Sequence, residues 1–138
     1  MPKFRLATIK KQKRFQEVFT NGKKFSTSNL FIVIDDFSST DNNTIEYAVI
    51  VSKKVSKRAV VRNRVKRLLR ECLRHYVHLL LGDRMQVKAI LLYWRMPVRH
   101  AKMIRLSDVI VEFIKLVEKI NRVKQIKHLD EENIDNTD

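Results

Sequence analysis

Glycine, cysteine and acidic residues are all scarce in this chain, and each shortage excludes something. The only glycines are Gly22 and Gly82, so a Gly-rich phosphate-binding loop cannot be built. Cys72 is the one cysteine, which rules out an intrachain disulfide and a Cys-based zinc site and fits a reducing compartment. No apolar run reaches the about 20 residues of a membrane-spanning helix; the run from Ala89 to Trp94 is far too short. Lys3 and Arg5 are not followed by the apolar core of a signal peptide. The expectation is a cytoplasmic protein with no membrane partner. Against 29 lysines and arginines stand 15 acids, giving a net charge of +14 and a pI near 10.2. Five of those acids, Asp130, Glu131, Glu132, Asp135 and Asp138, crowd the C-terminal end. Such an imbalance points to a polyanionic partner.

At 138 residues with 44% hydrophobic content, one domain with a real core is the default. It is expected over residues 1–122, with a charged, disordered tail over 123–138. The chain is organised around Ser52 to Tyr76, which holds ten Lys or Arg and one acid, Glu71. Val61, Val65, Leu68, Leu69, Cys72 and Tyr76 recur three and four apart, the period of one helix face. Asn63, Lys66, Arg67, Arg70 and Arg74 fall on the opposite side, with Arg62 and Arg64 on the shoulders. Lys53, Lys54, Lys57 and Arg58 lie just upstream. A merely solvated face alternates its charges. Here Lys66–Arg70 and Arg70–Arg74 are like-charge pairs four apart, a repulsion that a polyanion relieves. Guanidinium groups fork onto phosphate with two hydrogen bonds.

Around this helix, Ile9 to Thr20 reads as a short helix with Phe15, Val18 and Phe19 on one face and Gly22 as its stop. Phe15 and Phe19 suit core packing; the functional alternative is a surface on which a single-stranded base stacks. Lys23 to Asn29 suits a short strand or an extended connection. Leu30 to Ile34 and Ile45 to Ser52 read as strands joined by a polar loop over 36–44, forming an antiparallel hairpin. Val87 to Trp94 is a near-continuous apolar run, as in a central strand buried on both faces. Ser107 suits the N-cap of a last helix, with Asp108 favouring its N-terminus. Val109, Ile110, Phe113, Leu116, Val117 and Ile120 supply its apolar stripe. The fold class is an α+β two-layer sandwich in the order α-β-β-(β)-α-β-α.

Other constellations carry little. Asp35 and Asp36 point to opposite faces of a strand and read as its solvated end. His75 and His78 stand three apart on the helix without a third ligand nearby. No catalytic set and no metal site is expected.

The run Ser52-Lys53-Lys54, a short spacer, then Arg62-Asn63-Arg64-Val65-Lys66-Arg67-Leu68-Leu69-Arg70-Glu71 resembles the signature of the bacterial ribonuclease P protein component. Ile9, Phe15, Val18, Phe19 and Gly22 stand at the spacing of that family's first helix, and the resemblance covers Arg5 to Ile120. It implies a small protein subunit of a catalytic RNA that removes the 5′ leader of precursor tRNA, with Mg²⁺ held by the RNA. It further implies a left-handed β-α-β crossover, a rare hand. By position, Arg62, Asn63, Arg64, Lys66 and Arg67 match the RNA-binding helix, with Lys53 and Lys54 beside it; Arg58 and Arg70 extend the same basic surface. Phe15, Phe19 and Val33 match a leader-binding cleft, although some members place an aromatic at Val33. The spacer Val55 to Val61 lacks a glycine that many members carry. The competing expectation is a ribosomal or other structural RNA-binding protein without a catalytic partner. A DNA-binding regulator lacks the short helix that should precede the basic one.

Overall fold

Val87–Trp94 forms the middle of a five-stranded sheet, and the other elements assemble around it. The computed structural model describes residues 5–36, 44–81 and 87–135. The elements run β1 (Arg5–Thr8), α1 (Gln12–Asn21), β2 (Lys23–Ser26), β3 (Leu30–Asp36), β4 (Thr44–Val51), α2 (Ala59–Tyr76), α3 (His78–Leu81), β5 (Val87–Trp94), a 3-10 turn (Ala101–Met103) and α4 (Leu106–Asp135). Strand order across the sheet is β1-β4-β5-β3-β2.

The expected hairpin of β3 with β4 does not form. β5 lies between them, antiparallel to β3 and parallel to β4. The physical reason lies in β5: apolar on both faces, it is best buried with a neighbour on each side. β4 and β5 are joined through α2 and α3 as a β-α-β crossover. Arg5–Thr8 adds a parallel edge strand to β4. Most of the 36–44 loop lies outside the described residues, as does Gly82. α4 has helical backbone to Asp135, through part of the expected tail.

Strand alternation divides the sheet into two faces. Leu30, Ile32 and Ile34 of β3, Ile45 and Val51 of β4, and Ile90, Leu92 and Trp94 of β5 join the larger core. The apolar stripe of α2 closes over it with Val61, Val65, Leu68, Leu69, Cys72 and Leu73, and α4 adds Val109, Phe113, Leu116, Val117 and Ile120. Leu73 extends the expected stripe, and Tyr76 is only half-buried. The opposite face carries α1, whose Val18 is fully buried with Val33, Ala89 and Leu91. A partial third layer thus tops the two-layer sandwich.

Gly22 caps α1, its N–H donating to the Val18 carbonyl. Its φ of −74° is open to any residue. Space is what requires glycine: a Cβ there would stand 2.4 Å from Val33 Cγ1 and 2.7 Å from the Val18 oxygen. At α4, Ser107 lies inside the first turn, so it is not the cap. Asp108 does the work, its carboxylate accepting the Arg105 N–H at 2.9 Å, the reach-back half of a capping box.

Asp35 departs from the expected solvated strand end. It is 5% exposed, and Arg14 of α1 lies over it at 3.7 Å. Arg14 also donates to Glu46 of β4 at 3.1 Å and pairs with Glu17 at 3.5 Å. One guanidinium thereby ties α1 to two strands that flank β5.

Candidate nucleic-acid interface

The basic helix has no acidic residue in its first turn and no side-chain cap. Its entry is tied down by its own arginines. Arg62 Nη1 donates to the Ser56 and Lys57 carbonyls, both at 2.9 Å. Ser56 Oγ accepts the Arg58 N–H, and the Val98 N–H reaches the Val55 carbonyl. The glycine-free spacer is therefore a pinned turn, and Lys53, Lys54, Lys57 and Arg58 project from it exposed. With Arg99 and His100 they border a hollow of about 510 Å³. Arg64 Nη2 donates to the Ile104 carbonyl at 3.0 Å, joining α2 to the segment after β5.

These bonds use neutral acceptors and leave the positive charge in place. Asn63, Arg67 and Arg70 are exposed along α2, and Lys66 is half-buried beside them. Glu71 engages Arg74 at 3.1 Å and His75 at 3.4 Å. Among the described residues, no ion pair holds Lys53, Lys54, Arg58, Lys66, Arg67 or Arg70. Exposed cations thus stand both on the turn and along α2, and the expected residues Arg62, Asn63, Arg64, Lys66, Arg67 and Arg70 all share that helix.

A second surface lies on the α1 face of the sheet, where cross-strand register sets out successive rows. Glu46, Ala89 and Asp35 form one row, under Arg14. Ala48, Leu91 and Val33 form the next, with Leu91 and Val33 fully buried in the cluster that Val18 completes. Ile50, Tyr93 and Phe31 form the third, and all three stay half-buried. Phe31 and Tyr93 meet edge to face with centroids 5.2 Å apart. β4 and β5 lead directly from this row into Lys53 and Arg95.

The three expected cleft residues are treated differently. Phe19 is 41% exposed, with the Lys24 ammonium 4.9 Å over its ring. Phe15 is half-buried against the sheet. Val33 has no accessible surface. It supports α1 from below and presents nothing to a ligand, because the Gly22 backbone seals it. Phe31 and Tyr93 escaped the reading of the sequence; the alternation of β3 and β5, which puts each on the face of Val33 and Leu91, is the signal that finds them. Burial pushes the Tyr93 phenol above its ordinary range.

No protein nucleophile competes with this picture in α2. Cys72 is fully buried, which pushes its thiol up to about 12. Among the described residues no helix is long and apolar enough to cross a membrane.

The Ribonuclease P family model matches residues 4–121. The ribonuclease P protein component of Geobacillus kaustophilus is 45% identical over 64 residues, covering 46% of this chain and 50% of the relative. That of Microcystis aeruginosa is 37% identical over 67 residues, covering 48% and 56%. The chain spans about half the length of the curated relatives it matches. Among solved structures, the Staphylococcus aureus RNase P protein superposes with a TM-score of 0.63 at 21% identity, over 82% of this chain and 94% of that one. The RNase P protein from Thermotoga maritima gives 0.60 at 16% identity, over 81% and 96%. Both structures share the fold. With a match that takes in all five strands, α1, the whole of α2 and the first half of α4, the chain belongs to the Ribonuclease P family.

Proposed function

We propose that the chain is the protein subunit of ribonuclease P, binding the catalytic RNA and the 5′ leader of precursor tRNA and assisting endonucleolytic removal of that leader. The observation that carries this reading is the α2 face and the 53–58 turn, whose cations keep their charge instead of pairing with the chain's own carboxylates. Held against RNA, they neutralise phosphates of two polyanions that otherwise repel each other. The row Ile50, Tyr93, Phe31, with Phe15 packed in the same cluster, would take the single-stranded leader, and the exposed ring of Phe19 on the same helix would extend that surface. Stacking on aromatic faces tolerates any base, which suits leaders of varied sequence.

Mg²⁺ is placed on the RNA, as the family resemblance implies. Held there, it would supply an activated water and charge stabilisation at the scissile phosphate. The protein's own work is positioning and charge compensation. A ribosomal role, the alternative open from composition alone, has no support in the family match.

Reconstitution with a ribonuclease P RNA at low Mg²⁺ tests the proposal. Precursor tRNA cleavage is expected to be faster with the protein, and the advantage should shrink as salt rises. An unchanged cleavage rate would overturn it.

A further inference from the structure

A cavity of about 540 Å³ opens between the end of β5, the segment after it and the first turns of α4, well within the size of small-ligand pockets. Trp94 lines it, 4% exposed, and its indole N–H has no hydrogen-bond partner. Buried donors are nearly always paired. Arg14 and Arg64, which also carry an unpaired nitrogen, bond through their other atoms; the indole has no second polar atom. Glu112, 9% exposed, lines the same cavity and keeps acceptor capacity beyond Thr27 and Lys115. Met96, Met103 and Val111 form an apolar rim, 50%, 65% and 51% exposed. Thioether chains adapt to flat aromatic ligands.

From this we infer that the pocket receives one unpaired nucleobase of the RNA partner. A base offers what the walls take: a flat apolar body against the Trp94 ring and the methionine rim, and an N–H for the Glu112 carboxylate, whereas the indole nitrogen itself is sealed from the cavity. The surroundings favour RNA over a protein segment. Arg99 lines the cavity, and Arg95, Lys102 and Arg105 stand exposed nearby, cations placed for the phosphates on either side of an inserted base. Ile104, whose carbonyl Arg64 holds, lines the cavity too. RNA lying along α2 therefore passes its mouth. The inference rests on the RNA-binding reading above.

Trp94 is the only tryptophan, so the full chain gives one indole N–H signal by NMR. AMP, CMP, GMP and UMP are the probes, with ribose 5-phosphate as the control that lacks a base. At least one nucleotide should move the signal, and ribose 5-phosphate should leave it in place. Val111→Phe, which narrows the mouth from an exposed position, should weaken binding of ribonuclease P RNA about tenfold, the scale of one lost stacked base. The salt slope should stay unchanged, since no phosphate contact is removed. Met103→Gln, also exposed and neutral, should weaken binding in the same direction without changing the slope, which guards against a folding defect in either variant. RNA affinity equal to the parent in both variants overturns the inference, whatever the nucleotides do. A dimer lost in Val111→Phe with RNA affinity intact also overturns it, making the rim a protein contact. Failure of the parent itself to bind the RNA would sink the RNA-subunit reading as well, and is visible before any variant is compared.

Discussion

Arg64 of α2 holds the carbonyl of Ile104 at 3.0 Å, 40 residues away in sequence. An arginine at the centre of the basic motif is therefore also a brace between the helix and the segment that leads into α4. Its Nε is buried without a partner, so part of the guanidinium already bears a desolvation cost. Arg64→Ala should destabilise the fold by about 1–3 kcal/mol, because it leaves a carbonyl unpaired. Lys66→Ala, two residues further along α2 and free of such a bond, should stay within about 0.5 kcal/mol of the parent. Urea unfolding separates them; equal midpoints would show that the brace contributes nothing.

The exposed cations should act through phosphate alone. Arg67→Ala and Arg70→Ala should each weaken RNA binding and lower the slope of log affinity against log salt by about one. Titrations across salt concentrations check this, and an unchanged slope would take the residue off the RNA surface.

Gly22 should be irreplaceable for reasons of room. Gly22→Ala pushes a methyl group against Val33 and the Val18 carbonyl, and overpacking of this kind costs about 1–3 kcal/mol. Thermal unfolding measures it. A neutral result would mean that α1 shifts freely on the sheet.

Much of this was legible in advance, and the exceptions share a cause. The stripe of α2 and the two-sided burial of β5 follow from local periodicity, and both elements lie where periodicity puts them. The hairpin expectation failed because a sequence shows which strands are neighbours along the chain, whereas β5 enters the gap between β3 and β4 from 36 residues beyond β4. Asp35 looked solvated because its partner, Arg14, comes from another element. Phe31 and Tyr93 meet only through the register of β3 with β5. Position in a family motif suggested Val33 as a contact, yet the glycine that lets α1 approach also buries it.

Alkaline pH should expose the burial of Cys72. The thiol stays protonated in the fold to about 12, while the unfolded chain ionises near its ordinary 9.0. The unfolded state thus loses its proton first. The stability from this group is whole below 9.0 and drains away between 9.0 and 12, by about 1.4 kcal/mol per pH unit. Tyr93 shifts in the same direction. Urea midpoints followed from neutral to alkaline pH should show a shallower fall for Cys72→Val than for the parent. Identical falls would place the thiol in contact with water.

The central claim is that one face of α2 grips the catalytic RNA while a separate aromatic row takes the leader. Affinity of the reconstituted holoenzyme for precursor tRNA and for mature tRNA, measured with the parent and with Phe31→Ala/Tyr93→Ala, tests it most directly. The account predicts that the parent prefers the leader-bearing form and that the double variant loses this preference while still binding the RNA subunit. A double variant that keeps the full preference would contradict it.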